Sequence, residues 1–150
     1  MVATHARTDT VRQVMTAHPV TVSPETPVSE LYDLMDQRGI GVCPVVTHGG
    51  ELHGIVSRVD VLRALRPSRE LAMHDAEEIG RLTVREIMRY GVVSLEADDP
   101  LVAAVDLFVD TRLHALPVVH RGSGAPMVVG IVTQKDVLRY VLHAGPPARK

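Results

Sequence analysis

Aromatic residues are scarce: they make up 3% of the 150 residues, as Tyr32, Tyr90, Tyr140 and Phe108, and there is no Trp. Proteins that hold single-stranded nucleic acid stack bases on aromatic side chains, and this chain offers few. Positive charge does not stand in for them. The net charge is −2 at pH 7, which argues against a general nucleic-acid or anionic-membrane surface. Cysteine occurs once, as Cys43 inside an apolar run, so no internal disulfide can form and the thiol reads as buried and inert. No run approaches the roughly 20 apolar residues of a membrane helix. Met1 to Asp9 is polar and lacks the apolar core of a signal peptide. These absences predict a soluble, cytoplasmic protein with no membrane partner and no nucleic-acid partner.

Signs of catalysis are also missing. The eight histidines show neither a His-x-x-x-His spacing nor a His/Cys cluster. His48 and His53 flank a predicted hairpin, while His114 and His120 fall in or beside one strand. All four read as solvated side chains rather than metal ligands. There is no Gly-x-Ser-x-Gly elbow and no recognisable nucleophile–base pair. Gly39-x-Gly41 and Gly122-x-Gly124 do not open a helix after a strand, so they read as turns. The expectation is a protein that is not an enzyme and carries no metal and no cofactor.

What is present is a globular composition and a repeat. Hydrophobic residues make up 45% of the chain, enough for a sizeable core at this length. Val11-Arg12-Gln13-Val14-Met15 matches Val84-Arg85-Glu86-Ile87-Met88, and Val20-Thr21-Val22 matches Val93-Ser94-Leu95. Pro27-Val28 matches Pro100-Leu101, and Cys43-Pro44-Val45-Val46 matches Leu116-Pro117-Val118-Val119. The offset is 73 residues and becomes 76 at the last match, so the second copy carries three extra residues around Arg121 to Pro126. That last match is the longest. Gly54-Ile55-Val56-Ser57-Arg58-Val59-Asp60-Val61-Leu62-Arg63 recurs as Gly130-Ile131-Val132-Thr133-Gln134-Lys135-Asp136-Val137-Leu138-Arg139.

Periodicity places elements on each copy. Thr10 to Thr16 reads as a short amphipathic helix and Val20 to Val22 as a short strand. Thr26 and Pro27 open a helix to about Arg38 through Val28, Leu31, Leu34 and Met35. Val42 to Val46 is an apolar run expected of a strand buried on both faces. A hairpin loop at His48 to Glu51 leads to a strand at Leu52 to Val56 and then to a helix that Pro67 stops. Residues 67–82 are an acidic connector with some helical character. The second copy repeats this order: a helix at Val84 to Met88, a strand at Val92 to Leu95, and a helix capped by Asp98-Asp99-Pro100 that carries Leu101, Ala104, Val105 and Phe108. Strands at Ala115 to Val119 and Met127 to Val132 and a helix at Gln134 to His143 complete it. The fold class is α/β (α+β), with two pseudo-symmetric β-α-β-β-α repeats at 10–66 and 83–143 forming one module. Residues 1–9 and 144–150 read as flexible termini.

In the duplicated decapeptide an apolar strand ends at a hydroxyl residue, and an acid follows three positions later at the helix start. Its Gly marks a close backbone approach or a bulge. Ser57-x-x-Asp60 and Thr133-x-x-Asp136 fit a capping box, with Asp in place of the commoner Glu or Gln. Taken singly, such a pattern is more often a cap than a site. Duplication, and the position of a helix start after a strand, favour a ligand role as well, and one hydroxyl can serve both.

Tandem units with an apolar-Pro-Val-Val strand and a closing Gly-apolar-apolar-Ser/Thr-x-x-Asp-apolar-apolar motif resemble CBS domains, named after cystathionine beta-synthase. The resemblance covers roughly residues 10 to 143 and implies a stand-alone CBS pair. Such pairs commonly bind AMP, ADP, ATP or S-adenosylmethionine in two pseudo-symmetric clefts. The Asp takes the ribose hydroxyls, the Ser or Thr lies near phosphate, and the base slots beside strand residues of the other repeat. One set implied by the resemblance is Thr133, Lys135 and Asp136 with Thr21, Ile40, Gly41, Val42 and Pro44. The other is Ser57, Arg58 and Asp60 with Ser94, Leu113, His114, Ala115 and Pro117. His114 departs from the pattern, because it stands where the first copy has Gly41. The resemblance further implies a homodimer packed through its helices and a protein partner that receives the signal. The reading is a non-catalytic regulatory module that senses an adenosine-containing nucleotide. The alternative is a ligand-free dimeric scaffold or partner-docking module in which the two hydroxyl–acid pairs are only caps. An enzyme comes third, with no catalyst nominated.

Overall fold

The computed structural model describes residues 9–66, 76–122 and 124–144. In chain order the elements are a 3-10 turn at Val11–Gln13, β1 (Thr16–Ala17), α1 (Val28–Arg38), β2 (Val42–Val46), β3 (Leu52–Ser57), α2 (Arg58–Leu65), α3 (Ala76–Arg81) and α4 (Val84–Ile87). There follow β4 (Leu95–Glu96), α5 (Leu101–Thr111), β5 (Ala115–His120), β6 (Met127–Thr133), α6 (Gln134–Arg139) and a wider π turn at Tyr140–Ala144. The mixed α+β class and the duplicated order agree with the sequence. The helix stop at Pro67, the first part of the connector, Ser123 of the three-residue insertion and both expected flexible ends (all but Asp9 and Ala144) lie outside the described residues.

The chain forms two compact units, and neither is a contiguous repeat. One takes the described residues from 9 to 19 and from 93 to 144; the other takes those from 20 to 92. The lead-in of the first copy therefore docks on strands of the second, and the reverse holds for the second lead-in. In the first-named unit β1 pairs with β6, giving the sheet order β1-β6-β5-β4, with only β4 parallel to its neighbour. In the other unit the β2–β3 hairpin is extended by single bridges, Val22 to Val45 (parallel) and Ile55 to Arg89 (antiparallel). The expected strand at Val20 to Val22 is thus reduced to one bridging residue, and that at Val92 to Leu95 shifts to β4. Both hairpins shift register at the same repeat position, Val45/Val46 and Val118/Val119.

The repeated Gly explains why a lead-in can lie there. A Cβ at Gly54 would overlap the Arg89 carbonyl oxygen, whereas one at Gly130 would stand 2.6 Å from Met15 Sδ and 3.1 Å from the Thr16 oxygen. The missing side chain lets the crossing segment lie close against β3 and β6. Backbone yields less readily than a methionine end. We therefore expect Gly54→Ala to cost about 2–3 kcal/mol and Gly130→Ala about 1 kcal/mol, as read by urea unfolding. Equal losses would contradict the backbone-against-side-chain distinction.

Each unit has its own apolar cluster. Val11, Leu95, Leu101, Phe108, Leu116, Val118 and Val132 build one. Val22, Leu31, Met35, Cys43, Val45, Val56, Val84 and Met88 build the other. Val28, Leu31 and Met35 are buried, as the spacing along α1 predicts. The expected caps differ from those observed. Pro27 and Pro100 are the N-cap residues of α1 and α5, and neither helix has a side-chain cap. Thr26 Oγ1 instead accepts the Ser23 N–H at 3.2 Å, and Asp99 Oδ2 accepts the Glu96 N–H at 2.8 Å. These side chains close the turn before the helix, the other use to which hydroxyl and Asp side chains are suited. The lead-in helix expected over Thr10 to Thr16 is shorter, because the chain enters β1 at Thr16.

Candidate functional site

Both hydroxyl–acid pairs fold as capping boxes. Strand β3 ends with Ser57 in extended conformation, and α2 starts at the next residue. Ser57 Oγ accepts the Asp60 N–H at 3.4 Å, and Asp60 Oδ2 accepts the Ser57 N–H at 2.7 Å. At α6, Thr133 Oγ1 accepts the Asp136 N–H at 3.1 Å, and Asp136 Oδ2 accepts the Thr133 N–H at 3.0 Å. The capping reading thus holds in both copies, and it leaves open what else each carboxylate does.

There the copies part. Asp60 Oδ2 also accepts from Ser57 Oγ at 3.0 Å, while its Oδ1 accepts from Arg63 Nη1 at 2.7 Å and from Arg89 Nε at 3.1 Å. Its side chain is 1% exposed. Asp136 is half-buried, and among the described residues its partners are those of the cap alone. The two positions match in sequence, yet one carboxylate is saturated and the other keeps acceptor capacity.

Around the start of α2 the chain gathers Ile40, Gly41, Val42, Ser57, Arg58 and Asp60. The Arg58 N–H donates to the Gly41 oxygen at 3.0 Å, and Val42 faces Ser57 across the hairpin. A Cβ at Gly41 would stand 3.4 Å from Arg58 Nη1, so the guanidinium lies over the glycine. Pro44 lies further along β2, fully buried opposite Ile55. Thr21 is not in this group. It is exposed and lines an open cavity of about 410 Å³ with Ser23, Thr26, Glu30 and Asp33.

Around α6 the matching group is Leu113, His114, Ala115, Thr133 and Asp136. The Gln134 N–H donates to the His114 oxygen at 3.1 Å, and Gln134 Nε2 donates to the Leu113 oxygen at 2.6 Å. His114 therefore fills the backbone role of Gly41, and its side chain is exposed. Ala115 faces Thr133 and buried Pro117 faces Ile131. Lys135 is exposed, and Ser94 Oγ accepts from Arg121 Nη2 at 3.0 Å. Each unit thus brings together its own hydroxyl–acid pair and its own strand start. The pairing of each set with strand residues of the other repeat belongs to the proposal below. Gln134, Arg63 and Arg89 were not singled out by sequence reasoning. The repeat alignment, which puts Gln134 opposite Arg58, carried the signal for the first.

His53 corrects the expectation of solvated loop histidines. It lies within β3, its Nε2 is buried without a hydrogen-bond partner, and its ring meets Tyr90 edge-on at 5.6 Å between centroids. Among the described residues no three His, Cys, Asp or Glu converge as a metal site, and no helix is long and apolar enough to cross a membrane.

Cys43 is fully buried, and that burial pushes its thiol up to about 11. Burial disfavours the thiolate, so labelling of native protein near neutral pH is expected to be slow. The folded-state value lies above the unfolded one, so the contribution is intact below the unfolded value of about 9 and is lost as pH rises toward 11. Wild type should thus lose roughly 2–3 kcal/mol more than Cys43→Ala between these limits. Parallel denaturation curves for the two proteins across that range would exclude it.

The CBS domain profile matches residues 11–67 and 84–143. The chain is 29% identical over 129 residues to the CBS domain-containing protein YhcV of Bacillus subtilis, covering 85% of this chain and 81% of that one. Other curated relatives are longer. The chain spans only 47% of the uncharacterized protein MJ1225 of Methanocaldococcus jannaschii, at 26% identity. Among solved structures it superposes on the CBS domain pair of protein MJ0100 in complex with 5-methylthioadenosine and S-adenosylmethionine. There the TM-score is 0.72 at 25% identity, covering 87% of this chain and 94% of that one. It also superposes on CBSX2 in complex with AMP, with a TM-score of 0.73 at 26% identity, covering 90% and 97%. With both repeats matched over more than half of its length, this chain belongs to the CBS domain family and carries a tandem pair.

Proposed function

We propose that this CBS pair is a non-catalytic regulatory module that binds an adenosine-containing ligand and passes its state to a protein partner in the cytoplasm. The observation that carries the reading is the Thr133-x-x-Asp136 carboxylate, which is fixed by its own cap and still has acceptor capacity. An ionised Asp with spare lone pairs suits the two hydroxyls of a ribose. Lys135, exposed beside it, supplies positive charge for a phosphate or carboxylate. The adenosyl ligands of MJ0100 and CBSX2 support the choice of ligand class. Thr21, Ile40, Gly41, Val42 and Pro44 are assigned to the Asp136 set. Ser94, Leu113, His114, Ala115 and Pro117 are assigned to the set of Ser57, Arg58 and Asp60.

Calorimetric titration with AMP, ADP, ATP and S-adenosylmethionine tests this. At least one should bind, and Asp136→Ala should weaken it by removing charge-assisted hydrogen bonds worth on the order of 1.5–3 kcal/mol, roughly ten- to hundredfold in affinity. A second reading, the ligand-free scaffold, is favoured by one observation: Asp60 is fully occupied within the protein. Failure of all four ligands at millimolar concentration would select it.

A further inference from the structure

We infer that Arg63 and Arg89 lock Asp60, so that the intact protein takes one adenosyl ligand per chain, through Asp136. This rests on the ligand class proposed above. A carboxylate offers about four lone-pair positions. At Asp60 all are taken: Oδ2 by the Ser57 N–H and hydroxyl, Oδ1 by the two guanidiniums. A ribose diol brings two O–H donors and would have to displace charged donors from a nearly solvent-free oxygen. Charge-assisted bonds of that kind are about twice as strong as neutral ones.

The lock is built in by the backbone. The Arg89 N–H donates to the Ile55 oxygen at 2.9 Å and the Ile55 N–H to the Arg89 oxygen at 3.1 Å. That bridge pins Arg89 as it crosses Gly54, so little freedom is lost when its Nε meets Asp60. Arg63 completes the pair from the next turn of α2. Among the described residues the second copy has no such device. Thr16 stands at the position matching Arg89, held in β1 opposite Ile131, and it is short and uncharged. Arg139 matches Arg63, but it is exposed, and among the described residues the side-chain partners of Asp136 are those of its cap. The single exchange of Arg89 for Thr16 thus separates a closed carboxylate from an open one.

Titration of the full chain with AMP, and with S-adenosylmethionine should AMP not bind, reads this as stoichiometry. Wild type should bind one ligand per chain, and Asp136→Ala should lose it. Arg89→Thr, which installs the residue of the other copy, should add a second, separable binding event, and Arg89→Thr with Asp136→Ala should keep only the new one. Arg63→Ala, on the half-exposed side of α2, should add a weaker second event without altering the crossing segment, so the test survives a poorly folded Arg89 variant. Two ligands per wild-type chain, or one per chain in both Arg89→Thr and Arg63→Ala, would overturn the lock alone. Absence of binding in every variant would overturn the underlying ligand reading, and the lock's role with it.

Discussion

Asp60→Ala is expected to lower the unfolding free energy by about 2–4 kcal/mol, while Asp136→Ala, matched to it in sequence, should cost about 0.5–2 kcal/mol. Each substitution removes the acid of a capping box. Only at Asp60 does it also leave Arg63 and Arg89 facing each other with no anion between them. Breaking a buried ion pair typically costs 3–5 kcal/mol, because the remaining charge is stranded. Here the two arginine side chains are about half exposed, at 50% and 49%, so water recovers part of the loss and the expectation is set lower. Urea unfolding of the three proteins measures the difference. A double-mutant cycle of Asp60→Ala with Arg89→Ala should give a coupling of about 0.5–3 kcal/mol. Equal destabilisation at the two sites, or a coupling near zero, would show that the arginines add nothing to the cap. The expected stability contrast runs opposite to the proposed ligand contrast: the carboxylate expected to matter most for folding is the one proposed to matter least for affinity.

That division was only partly legible in the sequence. The repeat, the element order and the two capping boxes follow from local rules. Strand alternation and helix spacing are written within a few residues, and Ser/Thr three positions before an acid fixes its own geometry. The glycines at 54 and 130 likewise announced a close approach, although not what approaches. Tertiary partners were not written locally. Arg89 lies 29 residues from Asp60 and reaches it only because the lead-in of the second copy crosses β3. Exchange of the lead-ins leaves no mark on periodicity, because each segment has the same apolar face whichever sheet it joins. Asp99 and Thr26, expected at the starts of their helices, close the preceding turns instead: such side chains suit either use, and the following proline decides where the helix starts. His53 was misread because a position beside a hairpin says nothing of its burial under Tyr90.

Replacing Leu62 by Glu is expected to convert a dimer into a monomer at micromolar concentration. Each unit leaves apolar side chains exposed on its helices. Val59 and Leu62, three apart on α2, are 52% and 63% exposed, and Leu138 and Leu142, four apart on α6 and the turn after it, are 56% and 62% exposed. Residues at these spacings share one helix face. A soluble chain seldom leaves such stripes open unless something covers them. The occupant proposed is a second copy of this chain, packed through the helices near 28–38, 60–65, 101–111 and 135–142, because a closed two-fold arrangement buries the same patch on both chains. Symmetry also sets the size of the effect. Burying one Leu side chain is worth roughly 1.5–3 kcal/mol, and each substitution counts twice across a two-fold axis. A loss of about 3–6 kcal/mol corresponds to a factor of roughly 10² to 10⁴ in the dimer dissociation constant. Light scattering should show wild type at twice the chain mass and Leu62→Glu at the chain mass. Leu138→Glu tests the second face in the same way. Both positions are exposed within the single chain, so neither change should lower the stability of the monomer, and circular dichroism should show folded protein in both variants. A wild type that remains monomeric at these concentrations would remove the dimer, and a dimer indifferent to both substitutions would place its interface elsewhere.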